Sequence, residues 1–313
     1  MRPQISVVMA VYNAAPTLGE TMDSIFPQDG DFEIIVVDDG STDATAQVLG
    51  SYDDARLRVI RNEQNVGLTR SLIAGCAAAS GTYIARHDAG DRSHRDRFRK
   101  QQQLLDGDPR LVCVSCTTEF VGPHGEYLFD TRSSPAALRP IGMIDLSAPH
   151  GIAAGPSHHG SVMFRRDAYE RAGGYRAEWY YGQDWDLWYR LGNEGLFQSI
   201  DEPLYIARVT PESISGSARE SQQRLARLSH EALLARSRGE SEAAIVAGAA
   251  RIRKAPPPGR GARARGLYFI GEALRRNGDL RARKYLREAI RTDPLMLRAW
   301  LRYIQSMSTH GHL

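Results

Sequence analysis

The sequence predicts an α/β fold built on a mostly parallel sheet, with a helical extension at its C-terminal end. Four runs, at 5–11, 32–37, 57–60 and 82–85, read as strands, and the first is mostly apolar, rich in β-branched residues and continuous rather than alternating, as a strand covered on both faces requires. Helical spacing fills the intervals between them, and strand alternating with helix at this distance means βαβ units with right-handed crossovers. Beyond residue 216 the chain turns to Arg- and Ala-rich helix.

Each element has its own warrant. The first strand is broken by Tyr12, Asn13 and Pro16, and residues 17–26 then place Leu18, Met22 and Ile25 on one helical face. The second strand runs into Asp38, Asp39, Gly40, Ser41, Thr42 and Asp43, where Ser41 or Thr42 can cap the helix carrying Val48 and Leu49. A helix over 68–79 follows the third strand, with Gly81 as its C-cap. The fourth strand delivers Asp88 and Asp91, separated by Ala89 and Gly90. Small residues let the backbone turn so that both carboxylates can face one oxygen-loving cation, although an acidic turn can equally cap the next helix. Both acidic clusters fall at strand carboxyl ends, on the rim where open α/β sheets bind ligands.

Residues 95–105 read as helix and 111–117 as strand. The Gly-, Pro-, Ser- and His-rich stretch 122–160 reads as hairpins and loops, the kind of segment that carries acceptor contacts. A strand at 161–164 and a short helix at 166–172 precede Gly182–Leu191, in which Asp184 heads a helical stripe with Leu187, Trp188 and Leu191. An acid there points into a site or caps the helix. The last strand covers 203–208. The division expected is a domain over 1–216 and an extension over 217–313, with a break near 255–262, where three prolines cannot continue a helix, and a tetratricopeptide-like hairpin at about 265–307.

Composition narrows the class. Three cysteines in 313 residues form no disulfide framework, and Cys113 and Cys116 lie in an apolar run with no second ligand pair, so packing is their expected role. No stretch approaches the ~18 apolar residues of a spanning helix, and the N-terminal run is too short for a signal peptide, so a cytoplasmic protein is expected. The net charge of +3 conceals two halves: residues 217–313 hold 20 Lys and Arg against 8 Asp and Glu, a net of +12, and residues 1–216 carry −9. The basic extension suits either a solvated helical face or an anionic membrane surface; without a recognised module or interleaved aromatics, no nucleic-acid partner is expected. Neither GxxxxGK[ST] nor GxGxxG stands at a strand end, which disfavours kinase, ATPase and dinucleotide chemistry.

A nucleoside-diphosphate sugar matches what remains. Asp38 or Asp39 can accept from a base N–H or a ribose hydroxyl, and Tyr12 can stack on the base. Asp88 and Asp91 can hold Mg²⁺ or Mn²⁺. His158 and His159, being adjacent, point apart and suit acceptor-pocket or loop roles better than a metal pair; Trp179, Tyr180 and Tyr181 are candidates for a sugar platform, and Trp188 for the core.

Over about residues 5–215 the chain resembles the family 2 inverting glycosyltransferases of the GT-A fold, bacterial enzymes of cell-surface polysaccharide assembly. The segments SVVMAVYNA, VVDDGSTD, NVGLTRSL, IARHDAGDR, HHGSVMFRR, GGYR, QDWDLWYRL and RVTPESIS carry the likeness, in the family's order. The resemblance implies that Ala10, Tyr12 and Asp39 line the nucleotide pocket and that Asp88 to Asp91 is the metal and sugar-nucleotide motif. It further implies Asp184 as catalytic base, Arg208 near the diphosphate, a UDP-sugar as the favoured donor, and a saccharide or lipid-linked acceptor. The chain departs from the pattern at Gly90, where an acid is usual, at Gln183, where an acid often precedes the base, and at Ile73, where asparagine is common. A catalytically silent nucleotide-sugar binder with a helical interaction tail is the alternative these departures leave open.

Overall fold

The computed structural model describes residues 3–131, 156, 158–212, 219–252 and 259–308. Two compact units divide it: residues 1–118, 131–206 and 224–252 form the first, and 119–130, 207–223 and 253–313 the second. The hairpins expected over 122–160 lie largely outside the described residues.

The described residues hold nine strands: β1 Ile5–Val11, β2 Phe32–Asp38, β3 Leu57–Arg61, β4 Tyr83–Asp88, β5 Arg92–Ser93, β6 Leu111–Val121, β7 Tyr127–Thr131, β8 Met163–Arg165 and β9 Leu196–Arg208. Their order is β3-β2-β1-β4-β8-β6-β9-β5, with β7 paired to β6. Strands β1 to β4 are joined through helices α1 Ala15–Ile25, α2 Thr45–Gly50 and α3 Leu68–Ala78, and they pair in parallel. From β4 outward the pairing turns antiparallel, because the later strands are not linked to their neighbours by helical crossovers. The sheet is therefore mixed, and its parallel part is the one legible from βαβ spacing.

Alternation along β1 sets the layers. Ile5, Val7, Met9 and Val11 pack with Leu18, Met22, Ile25 and Phe98 on one face. Val8 joins Leu72, Ile84, Phe164, Leu187 and Trp188 on the other, so Trp188 is core as expected. Each such buried side chain contributes roughly 1.5–3 kcal/mol. The fourth helix, α4, spans Arg97–Gly107 and the fifth, α5, Arg166–Arg171. Two local expectations change. Ser41 and Thr42 do not cap α2: the Asn13 N–H donates to Ser41 Oγ (3.0 Å) and the Thr42 N–H to Asn13 Oδ1 (2.8 Å), tying together the loops after β1 and β2. Gly81 is not a C-cap either, since Ala79 already leaves α3 extended; it is small because a Cβ there would lie 2.7 Å from the Ser6 backbone nitrogen.

Helix α6, Gln183–Leu191, carries two acids with different fates. Asp186 is buried between Arg176 and Arg190, accepting from Arg176 Nε at 3.0 Å and Arg190 Nη2 at 2.7 Å. Arg176 also reaches Glu242, which pairs with Arg236 as well. Helices α7 Arg219–Ser237 and α8 Ala243–Ala250 are thus bound to the first unit through buried polar groups, the Trp179 indole N–H to Ser229 Oγ (2.7 Å) among them. Residues 224–252 of the Arg- and Ala-rich stretch cluster with the sheet, and residues 119–130 cluster with the last helices.

In the second unit, α9 Arg260–Arg276, α10 Ala282–Thr292 and α11 Leu297–Ser308 enclose Leu267, Ile270, Leu274, Tyr285, Ala289 and Ala299 with Leu128. The Tyr285 hydroxyl donates to Glu126 (2.7 Å) and the Asn277 amide to the Leu128 carbonyl (2.8 Å). Helix α9 begins at Arg260, inside the break expected to run to 262. No helix among the described residues is long and apolar enough to cross a membrane.

Replacing Asp186 by Ala leaves Arg176 and Arg190 without their shared buried counter-charge. A loss of about 3–5 kcal/mol is expected, read as a lower midpoint in urea denaturation with little change in slope.

Candidate active site

Register brings the acidic ends together. Val11 lies opposite Asp38 on one side of β1 and Ala10 opposite Asp88 on the other, so the carboxyl ends of β2, β1 and β4 are adjacent. Tyr12, half-exposed, continues from that edge. The two acids after β2 are used differently. Asp39 accepts from Asn62 Nδ2 (2.8 Å) and from the backbone N–H groups of Val66 (2.9 Å) and Gly67 (2.8 Å), which takes most of its acceptor capacity and shapes the loop leading to α3. Asp38 accepts the Ser41 N–H through Oδ1 (2.9 Å); among the described residues its buried Oδ2 has no hydrogen-bond partner, and it lies 3.7 Å from Arg61 Nε. An orphaned buried carboxylate oxygen is costly. Asp38 is therefore the member of the pair with an oxygen left to bind something.

The turn from Asp88 to Asp91 is fixed by backbone geometry. Gly90 has φ +92°, a region that L side chains rarely adopt, so the missing acid has a conformational basis. Its N–H donates to Thr21 Oγ1 (2.9 Å), and the Thr21 hydroxyl donates to the Asp91 carbonyl (2.9 Å). Helix α1 thereby pins the turn.

Tyr205, on β9, completes the arrangement. Its hydroxyl accepts the Asp88 N–H (3.0 Å) and donates to Asp91 Oδ2 (2.8 Å). The ring lies 5.2 Å from the His87 ring, 5.3 Å from that of His158, and 4.8 Å from the Arg97 guanidinium. On the other side Arg86, fully buried, pairs with Asp88 Oδ1. Burial alone would raise the Asp88 pKa, but Arg86, with the two histidines adding to it, holds it well below the ordinary carboxylate range.

Ligand atoms of Asp88, Asp91 and His158 all lie within 4.8 Å of one another. His158 was expected in an acceptor pocket or loop; it stands instead with the carboxylates, while His159 turns away to bond the Tyr175 hydroxyl (2.6 Å). Burial lowers the His158 pKa to about 4, against the opposing pull of Asp88, so the ring is neutral at neutral pH. His158 Nδ1 accepts the Gly160 N–H (3.0 Å), which places the ring proton on Nε2; ligating a cation would require the ring to give up one or the other. Two carboxylates with one imidazole form a donor set that fits a hard divalent cation of the Mn²⁺ or Mg²⁺ type, the imidazole favouring Mn²⁺.

Asp184 is the second residue of α6, behind a left-handed Gly182, and its carboxylate accepts from its own N–H and that of Trp185. Burial raises its pKa; its own first-turn N–H groups oppose that, the negative charge of Asp88 adds to it, and Arg86 moderates it. The same short list of charges thus acts on Asp184 and on Asp88. The aromatic cluster before α6 is not a sugar platform as a whole. Trp179 is fully buried under the Arg176 guanidinium (4.3 Å), and the Tyr180 ring lies against Gly67. Arg208, the last residue of β9, belongs to the second unit. Cys113 and Cys116 are buried thiols outside any disulfide, pushed to high pKa by burial.

The sheet, its helices and the carboxylates on its edge define a GT-A glycosyltransferase. Residues 1–349 of S. aureus TarS superpose with a TM-score of 0.55 at 17% identity, covering 98% of this chain and 89% of that one. A mannosyltransferase from Pyrobaculum calidifontis, solved with GDP-Man and Mn²⁺, gives 0.54 at 20% identity over 98% and 85%. At those identities the likeness speaks for the fold. Sequence speaks for the family: the family described as glycosyl transferase family 2 matches residues 6–173, more than half of the chain, and the chain belongs to it. The glycosyltransferase EpsE of Bacillus subtilis (strain 168) is 33% identical over 214 residues, 66% of this chain and 73% of EpsE.

Tyr205→Phe removes the bridge and leaves a buried Asp91 oxygen without its donor. A destabilisation of about 1–3 kcal/mol is expected, measured by thermal or urea unfolding. A variant as stable as the parent would mean that the bridge holds nothing.

Proposed function

We propose that this chain is an inverting, divalent-metal-dependent glycosyltransferase that takes a nucleoside-diphosphate sugar, with UDP-sugars favoured, and transfers the sugar to a hydroxyl of a saccharide or lipid-linked acceptor in cell-surface polysaccharide or glycolipid synthesis. The observation that carries this reading is the convergence of Asp88, Asp91 and His158 within 4.8 Å, with Asp184 responding to the charge of Asp88. Asp88, Asp91 and His158 would hold Mn²⁺ or Mg²⁺, which when bound neutralises the charge growing on the departing diphosphate. Asp38 and Tyr12 serve the nucleoside, Asp38 by its spare carboxylate oxygen and Tyr12 by its exposed ring; Ala10 leaves room at the strand end, and Asp39 holds the wall that follows. Arg208 is assigned to the diphosphate by family resemblance.

Asp184 acts as general base. Its carboxylate takes the proton of the acceptor hydroxyl, the oxygen attacks C1 of the donor sugar from the face opposite the diphosphate, and the configuration inverts. A raised pKa makes Asp184 a stronger base than an ordinary carboxylate. The basic helices suit a peripheral position at an anionic membrane face, where a lipid-linked acceptor would lie.

Asp184→Asn should abolish transfer while UDP with Mn²⁺ still raises the melting temperature; wild-type turnover in this variant would refute the assignment. The sign of the pH effect follows from the same group. Because the carboxylate must be ionised to accept a proton and its pKa is raised, transfer should fall on acidification at a pH above the ordinary carboxylate value of 3.8. A rate profile whose acid limb bends at or below that value would contradict the role.

A further inference from the structure

The last helix presents a face that the unit's core does not use. Ala299 in the first turn of α11 faces the core, as does Met296 just before the helix, with Tyr303 packed beside them. Leu297, Trp300, Leu301, Ile304 and Met307 stand on the opposite side, following the spacing of one helical stripe, and all are exposed; Leu295 and Leu297 reach 87% and 79%. Large apolar side chains gathered in one exposed stripe mark a contact surface. The Trp300 indole is held in place by its N–H bond to the Pro294 carbonyl (3.0 Å).

Charge selects the occupant. Residues 294–313 contain Arg298 and Arg302 and no acid, and residues 253–313 hold 14 Lys and Arg against 4 Asp and Glu. Arg281, Lys284, Arg287, Arg291 and Arg298 are exposed. A second copy of the chain meeting the first through this stripe would bring two strongly positive units together. An anionic lipid surface complements them, and an apolar stripe with Trp and Leu flanked by arginines is the composition of a helix that lies in a membrane interface.

We propose that α11 is the membrane-contact element of this protein, its Leu297, Trp300, Leu301, Ile304 and Met307 stripe entering the headgroup boundary of an anionic bilayer while the surrounding arginines meet the phosphates. The inference rests on the reading that the basic helices meet such a membrane, and it names the surface. The test is co-sedimentation of the full chain with vesicles of phosphatidylglycerol and phosphatidylcholine in equal parts, against phosphatidylcholine alone. The substitutions Leu297→Ser, Trp300→Ser and Ile304→Ser, made together, alter exposed residues, and circular dichroism with UDP and Mn²⁺ thermal shift checks that fold and nucleotide binding persist. The wild type should bind the anionic vesicles, with affinity falling as salt rises and little binding to the neutral ones; the triple variant should lose at least about tenfold in affinity. Equal binding by variant and wild type would overturn the role of α11 while keeping the membrane reading. No binding by the wild type would overturn both. A wild type that dimerises without lipid in analytical ultracentrifugation, where the variant stays monomeric, would show instead that the stripe joins two copies.

Discussion

Two carboxylates brought close at a water-poor sheet edge repel each other, and burial penalises both; holding them there is the constraint around which this site is built. Arg86 answers it on one side, as a buried cation against Asp88. Tyr205 answers it on the other, joining the Asp88 backbone to the Asp91 carboxylate through a single hydroxyl. Remaining parts follow from these two. Gly90 supplies the left-handed turn, Thr21 on α1 fastens it, and Arg97 lies over the Tyr205 ring, its guanidinium bonded to Ser93 Oγ (2.9 Å) and to the Arg86 carbonyl (2.7 Å).

That arrangement also divides labour among the acids. Asp39 is largely consumed by the loop before α3, and Asp186 by two arginines. Asp38 keeps a buried oxygen without a hydrogen bond, and Asp184 is shifted towards a better base by burial and by the charge of Asp88. Acids close in sequence, Asp38 with Asp39 and Asp184 with Asp186, thus split into one structural and one available member each. The split is made by their partners: Val66 and Gly67, far along the chain, for one pair, and Arg176 with Arg190, the latter one helical turn away, for the other.

The parallel part of the sheet was legible because β-branched runs and helical spacing are local signals, and the carboxylates after β2 and β4 were legible because such strands end on a common rim. His158 and Tyr205 were not. A histidine in a Gly- and His-rich stretch and a tyrosine within an apolar strand look like many others, and they reach the turn only through the antiparallel strands β8 and β9, whose pairing no local period announces. Arg86 was hidden for another reason: inside a strand of apolar neighbours nothing marks a cation as the partner of an acid two residues on. Nor does any local signal show that Ser229 and Glu242 find their partners on Trp179 and Arg176.

In the second unit, by contrast, helices α9 to α11 were readable from period alone, and what period cannot show is how far the apolar side chains on the outer face of α11 stand exposed among the described residues. At the sheet edge, the proposed function requires Asp88, Asp91 and His158 to serve as one cation site. Titration of Mn²⁺ followed by electron paramagnetic resonance, with UDP present, tests it most directly on the wild type and on Asp91→Asn and His158→Ala. The account predicts Mn²⁺ binding by the wild type, weakened by roughly tenfold or more in each variant; wild-type affinity in both variants would contradict it.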